Sequence, residues 1–154
     1  MTVAVKEPRL ECYAQSLQTR VESWLDSEEA RGMPGAGLYR HLPALFQFLA
    51  QVALDPRISE RDRAATLSAL KYVIAPFDLI PEGILGVAGL RDDLVLAALT
   101  VERLAGRVAP TVLAEHWERA NDPLELARAI LDAASAMVGP DILQHLQTWH
   151  EATA

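Results

Sequence analysis

A single cysteine, Cys12, is the first scarcity in this 154-residue chain, and one thiol cannot close an internal disulfide. A small secreted scaffold stapled by disulfides is therefore excluded, and a reducing cytoplasm is the expected setting. Positive charge is also short: 14 Lys and Arg stand against 21 Asp and Glu, a net charge of −7. An acidic surface repels phosphate backbones, so nucleic acid is not expected as a partner. Long apolar runs are missing too. A membrane-spanning helix needs about 20 apolar residues. The longest stretch without Lys, Arg, Asp or Glu is His41 to Leu54, 14 residues that still include Gln47 and Gln51. At the start, Lys6, Glu7, Arg9 and Glu11 stand where a secretory signal would need an apolar core, so none is expected. The sequence shows no repeat, no low-complexity tract and no recognisable catalytic motif.

What is present is an ordinary folding composition, 51% hydrophobic and 23% charged. The length suits one domain, 1–154, with a real core. Charge is unevenly placed. Residues 1–77 hold 9 basic and 9 acidic side chains, whereas residues 78–154 hold 5 and 12, so the excess of 7 acids lies in the second half. The one basic concentration, Arg57, Arg61 and Arg63 with Lys71, is interrupted by Glu60 and Asp62 and reads as a solvated helix face.

Apolar residues recur at helical spacing, and nothing alternates with the period of a strand. Leu10, Tyr13, Leu17, Val21, Trp24 and Leu25 mark a helix from about 9 to 30, ended by the loop Gly32-Met33-Pro34-Gly35-Ala36-Gly37. Leu42, Leu45, Phe46, Leu49 and Val52 mark a second helix, with Pro43 in its first turn and Asp55-Pro56 at its end. Ser59 followed by Asp62 resembles a capping box, with Asp in place of Glu, that opens a third helix, which Pro76 is expected to close. Leu94 to Leu104 is apolar almost all round and should be a central, buried helix. Three more follow. One starts at Pro110 and reaches Arg119, one starts at Asp122-Pro123 and ends at Gly139, and one starts at Pro140. The expectation is an all-α, single-domain bundle of about six to seven helices.

Only Tyr72 to Asp93 departs from this plain pattern. Pro76 and Pro81 bracket Asp78, glycines stand at 83, 86 and 89, and Asp92-Asp93 precedes the apolar helix. Each proline pushes the residue before it, Ala75 and Ile80, toward extended backbone. Pro76, Asp78, Leu79, Ile80, Pro81, Gly89, Asp92 and Asp93 together resemble the signature of the YkvA-like family, a domain of unknown function. Glu82 stands where that family usually has Asp. The resemblance covers roughly residues 64–101, leaving 1–63 and 102–154 as flanking helices of the same domain. It implies a bacterial, helical protein, often described as membrane-associated, and no established activity.

Asp78, Glu82, Asp92 and Asp93 are the candidate metal ligands. Four carboxylates beside irregular backbone suit a hard cation such as Mg²⁺ or Ca²⁺. A competing account needs no ligand: Asp92 caps the central helix, Asp93 favours its positive end, and Asp78 satisfies amides in the turn. A cap is worth about 1 kcal/mol, enough to account for acids there. Histidines 41, 116, 145 and 150 form no i, i+4 pair, Cys12 beside Glu11 is a poor nucleophile, and Trp24, Trp117 and Trp149 read as packing anchors. No catalytic or cofactor-binding residue is assigned. The leading expectation is a non-enzymatic interaction or scaffold module that binds a protein partner or a second copy of itself. The alternatives are a cation-binding protein or metal-dependent hydrolase built on the four acids, and peripheral membrane contact through Ile84-Leu85-Gly86-Val87.

Overall fold

A computed structural model describes residues 7–32, 35–79, 88–117 and 119–152, with backbone alone at 7–14, 29, 73–79, 88–91, 137 and 138. The described elements are all helical: α1 (Glu7–Leu25), α2 (Glu28–Arg31), a 3₁₀ helix (Ala36–His41), α3 (Leu42–Leu54), α4 (Glu60–Leu79), α5 (Ala88–Ala105), α6 (Pro110–Glu115), α7 (Pro123–Val138) and α8 (Pro140–Ala152). The all-α bundle expected from the periodicity is what forms.

Helix α5 is the axis. It packs against α3, α4, α7 and α8, and Leu94, Val95, Leu96, Ala98, Val101 and Leu104 are at most 1% exposed. A helix apolar on every face loses least when neighbours cover every face, so the pattern alone placed it centrally. Around it, Leu126, Ala127, Ile130 and Ala134 turn one stripe of α7 inward, and Leu45, Phe46, Phe48, Leu49 and Val52 bury α3. The tryptophans are anchors as expected. Trp24 meets Tyr39 at 4.9 Å between ring centroids, Phe48 meets Trp117 edge-on at 5.4 Å, and Tyr72 meets Trp149 at 5.3 Å.

Several boundaries follow local chemistry. Ser59 Oγ accepts from the Asp62 amide and donates to its carboxylate at 2.9 Å, so the N-cap forms, with a side-chain bond in place of the return bond of a capping box. Asp122 accepts from the Leu124 amide at 2.9 Å, with Pro123 in the first turn. Gly139 joins α7 to α8 with φ +86°, a backbone that a side chain would strain.

Four boundaries differ from expectation. The first helix stops at Leu25, because Ser27 turns back to the Trp24 carbonyl and caps the separate turn α2. Pro76 does not close α4, which runs on to Leu79, and Ala75 is helical rather than extended. A proline there forfeits one backbone bond, a loss that a helix packed on neighbours, as α4 is on α3 and α5, can bear. Helix α5 begins at Ala88, so Gly89 lies in its first turn while Asp92 and Asp93 are its fifth and sixth residues. Finally, α6 ends at Glu115 instead of Arg119, because His116 and Trp117 take partners elsewhere. Ile80, expected to be extended, Pro81, Glu82 and the Ile84–Val87 stretch lie outside the described residues. Among the described residues, no helix is long and apolar enough to cross a membrane.

Candidate functional site

Helices α4 and α5 run antiparallel, since Asp62 near the start of α4 meets Arg107 near the end of α5, while Tyr72 late in α4 meets Asp92 early in α5. Along α5 a series of buried and half-buried polar side chains interrupts the apolar core. At one end, Asp62 is buried, with Arg107 Nε 2.7 Å and Arg103 Nη2 3.7 Å from its Oδ1. In the middle, Thr100 is fully buried, donates to the Leu96 carbonyl at 2.8 Å and lies 3.3 Å from His150 Nε2 of α8. Burial first, and Arg103 second, lower the pKa of His150 and so favour its neutral form.

At the other end stand two of the four candidate acids. Asp93 is 1% exposed, and its Oδ1 is buried without a hydrogen-bond partner. Burial, then the neighbouring Asp92, push its pKa up to about 8, so the isolated carboxyl holds its proton at neutral pH. Tyr72 bonds to Asp92, and its phenol is raised by burial first and by the two aspartates next. Neither aspartate is an N-cap, because α5 already has a full turn before them. The capping account of Asp92 is thereby corrected: upstream residues extend the helix past it. The side chain of Asp78 and all of Glu82 lie outside the described residues. Among the described residues, no group of three or more His, Cys, Asp and Glu side chains gathers as a metal cage.

A second polar cluster was not foreseen. Asp55, at the end of α3, is buried and accepts from the Arg57 amide (2.8 Å), Arg57 Nε (3.0 Å) and Nη2 (2.7 Å), and from His116 (2.8 Å). Arg57 reaches on to Glu115, and Arg63 donates to the carbonyls of Ala53, Asp55 and Ile58, closing the end of α3 with positive charge. The arginines read as a solvated face are thus mostly engaged, with Arg57 outside α4 altogether. The pairings to Arg57 and His116, with a backbone bond, hold the Asp55 carboxyl well below the usual carboxylate range. Only Asp55-Pro56-Arg57, an Asp-x-Arg turn after a helix, hinted at this cluster in the sequence.

Residues 62–99 match a family of unknown function, DUF1232. The match spans most of α4 and the first two-thirds of α5 and includes Asp62, Tyr72, Asp92 and Asp93, whereas Thr100, Arg103, Arg107 and His150 lie outside it. Neither the curated proteins nor the solved structures contain a match to the chain.

Proposed function

We propose that this chain is a YkvA-like helical module that works by binding rather than by catalysis, and that its α4–α5 pair holds a divalent cation, Mg²⁺ or Ca²⁺. Asp92 and Asp93 supply two carboxylates, and Asp78 and Glu82, before α5, complete the set. The observation that carries the reading is the buried Asp93 oxygen without a partner. A buried carboxyl beside a second carboxylate is costly when ionised, and a hard cation removes that cost by binding oxygen from both. Its position inside the family-matched segment supports the same assignment. In this reading the cation tunes how α4 and α5 pack, and the bundle presents its outer surface to a protein partner or a second copy of the chain in the cytoplasm. Contact with membrane is at most peripheral.

The test is calorimetric titration of the metal-free protein with Ca²⁺, Mg²⁺ and Mn²⁺ beside the Asp93→Asn variant. Binding at millimolar or lower concentration that disappears in D93N supports the site. Absence of binding by all three ions, with D93N melting higher than the parent at pH 8, would show that Asp93 is only a protonated core residue. Light scattering after size exclusion tests the self-association part, which a monomer across micromolar concentrations would sink.

A further inference from the structure

A cleft of about 1100 Å³ opens between α1 and α3 and is closed at one side by the chain that follows α6. It lies away from the acids of α5 and belongs to neither polar cluster above, although His116 stands at its edge. Its floor includes the aromatic pair Phe48 and Trp117, and glutamines from both helices, Gln15, Gln18, Gln47 and Gln51, line its walls.

The cleft lining is charge-balanced, two arginines against two acids, in a chain whose net charge is −7. Arg40, from the 3₁₀ helix, and Arg119, beyond α6, both line the cleft, and both are exposed. No carboxylate pairs with either guanidinium among the described residues, although Glu22 and Asp26 of α1 border the same cleft and the chain carries a net charge of −7. His41, next to Arg40 in the chain, feels the charge of both arginines. Its Nδ1 is buried without a hydrogen-bond partner, and burial, then Arg119, then Arg40 lower its pKa. Arg40 and Arg119, 79 positions apart in sequence, line one cleft without an ion-pair partner among the described residues, and such guanidiniums can take negative charge from a ligand. The glutamine amides add neutral donors and acceptors, and the acids on the α1 wall favour a ligand with hydrogen-bond donors at its far end.

We infer that this cleft binds a small organic anion, its carboxylate or phosphate ester held by Arg40 and Arg119 and its hydroxylated body lying against the glutamines and Trp117. At about 1100 Å³ the cleft is larger than such a ligand, since small-molecule pockets run to roughly 1,000 Å³, so the anion would fill only the part beside the arginines. His116, bonded to Asp55, stands at the edge of the cleft beside Trp117.

Amide spectra of isotope-labelled protein would be recorded during titration with glucose 6-phosphate, gluconate, inorganic phosphate and glucose. Saturable shifts near Arg40, Gln47, Trp117 and Arg119 with glucose 6-phosphate or gluconate are expected, and the phosphorylated and carboxylate probes distinguish the two anion sources. Arg40→Gln and Arg119→Gln should each weaken that binding by about tenfold, a free-energy change of about 1.4 kcal/mol, while the remaining spectrum stays dispersed. Inorganic phosphate binding as tightly as either organic anion would overturn the assignment of an organic ligand. Lack of saturation by every probe, or binding unchanged in both variants, would overturn the site itself. None of these outcomes depends on cation binding at α5.

Discussion

Asp55 and His116 are 61 positions apart, yet His116 Nε2 lies 2.8 Å from Asp55 Oδ2. This bond pins the end of α6 to the end of α3 and turns His116 away from the helix it would otherwise have continued. The ionised form of Asp55 is favoured in the fold, so its contribution to stability is present above the unfolded carboxyl pKa and fades as pH falls below about 4. Asp55→Asn should lower the melting temperature at pH 7 and flatten the acid limb of the melting curve against pH. An unchanged acid limb would show that the bond contributes nothing to folding.

Asp93 should act in the opposite direction. Its folded pKa is raised to about 8, so between its unfolded value near 4 and about 8 the folded state holds a proton that the unfolded state has lost. Without divalent cations, stability therefore falls as pH rises through that window, by up to about 1.4 kcal/mol per pH unit, and levels off above it. Asp93→Asn should remove the slope, which urea unfolding at pH 5, 6.5 and 8 would measure.

His150 gives a third titration. Its pKa is lowered by burial and by Arg103, with Glu151 opposing, so the unfolded chain takes up a proton first as pH drops below about 6.5. Stability is expected to decline as pH falls from there toward the folded pKa. His150→Leu, which leaves Thr100 bonded to the Leu96 carbonyl, should weaken that dependence between pH 5 and 6.5. A thermal scan of both proteins across that range decides it.

Core packing offers a control free of charge. Leu104 on α5 is fully buried, and Leu104→Ala should cost about 3 kcal/mol in chemical denaturation. Leu54, 44% exposed at the end of α3, should cost well under half as much when changed to Ala. Equal losses would mean that α5 is not the axis of the core.

The fold was largely legible because helix formation leaves local marks. The apolar wrap of Leu94 to Leu104, the Ser59–Asp62 cap, the Asp122–Pro123 start and the Gly139 turn all act within a few residues of themselves, and each is found where the spacing put it. The misplaced ends have non-local causes. Pro76 sits inside α4 although its local effect is to break a helix, and that helix packs against α3 and α5. His116 leaves α6 for an aspartate far away in sequence.

The same division holds for chemistry. The sequence by itself determined that the chain is helical, acidic in its second half, and marked by a proline- and aspartate-bearing segment before α5. Only the tertiary structure decided that Asp93 is buried with an oxygen unpaired, that Arg57 and Arg63 serve the end of α3, and that Arg40 and Arg119 share one cleft. The physical reason is range. Periodicity and capping are satisfied within a turn or two of backbone, whereas burial and charge pairing depend on which distant helices come to rest side by side.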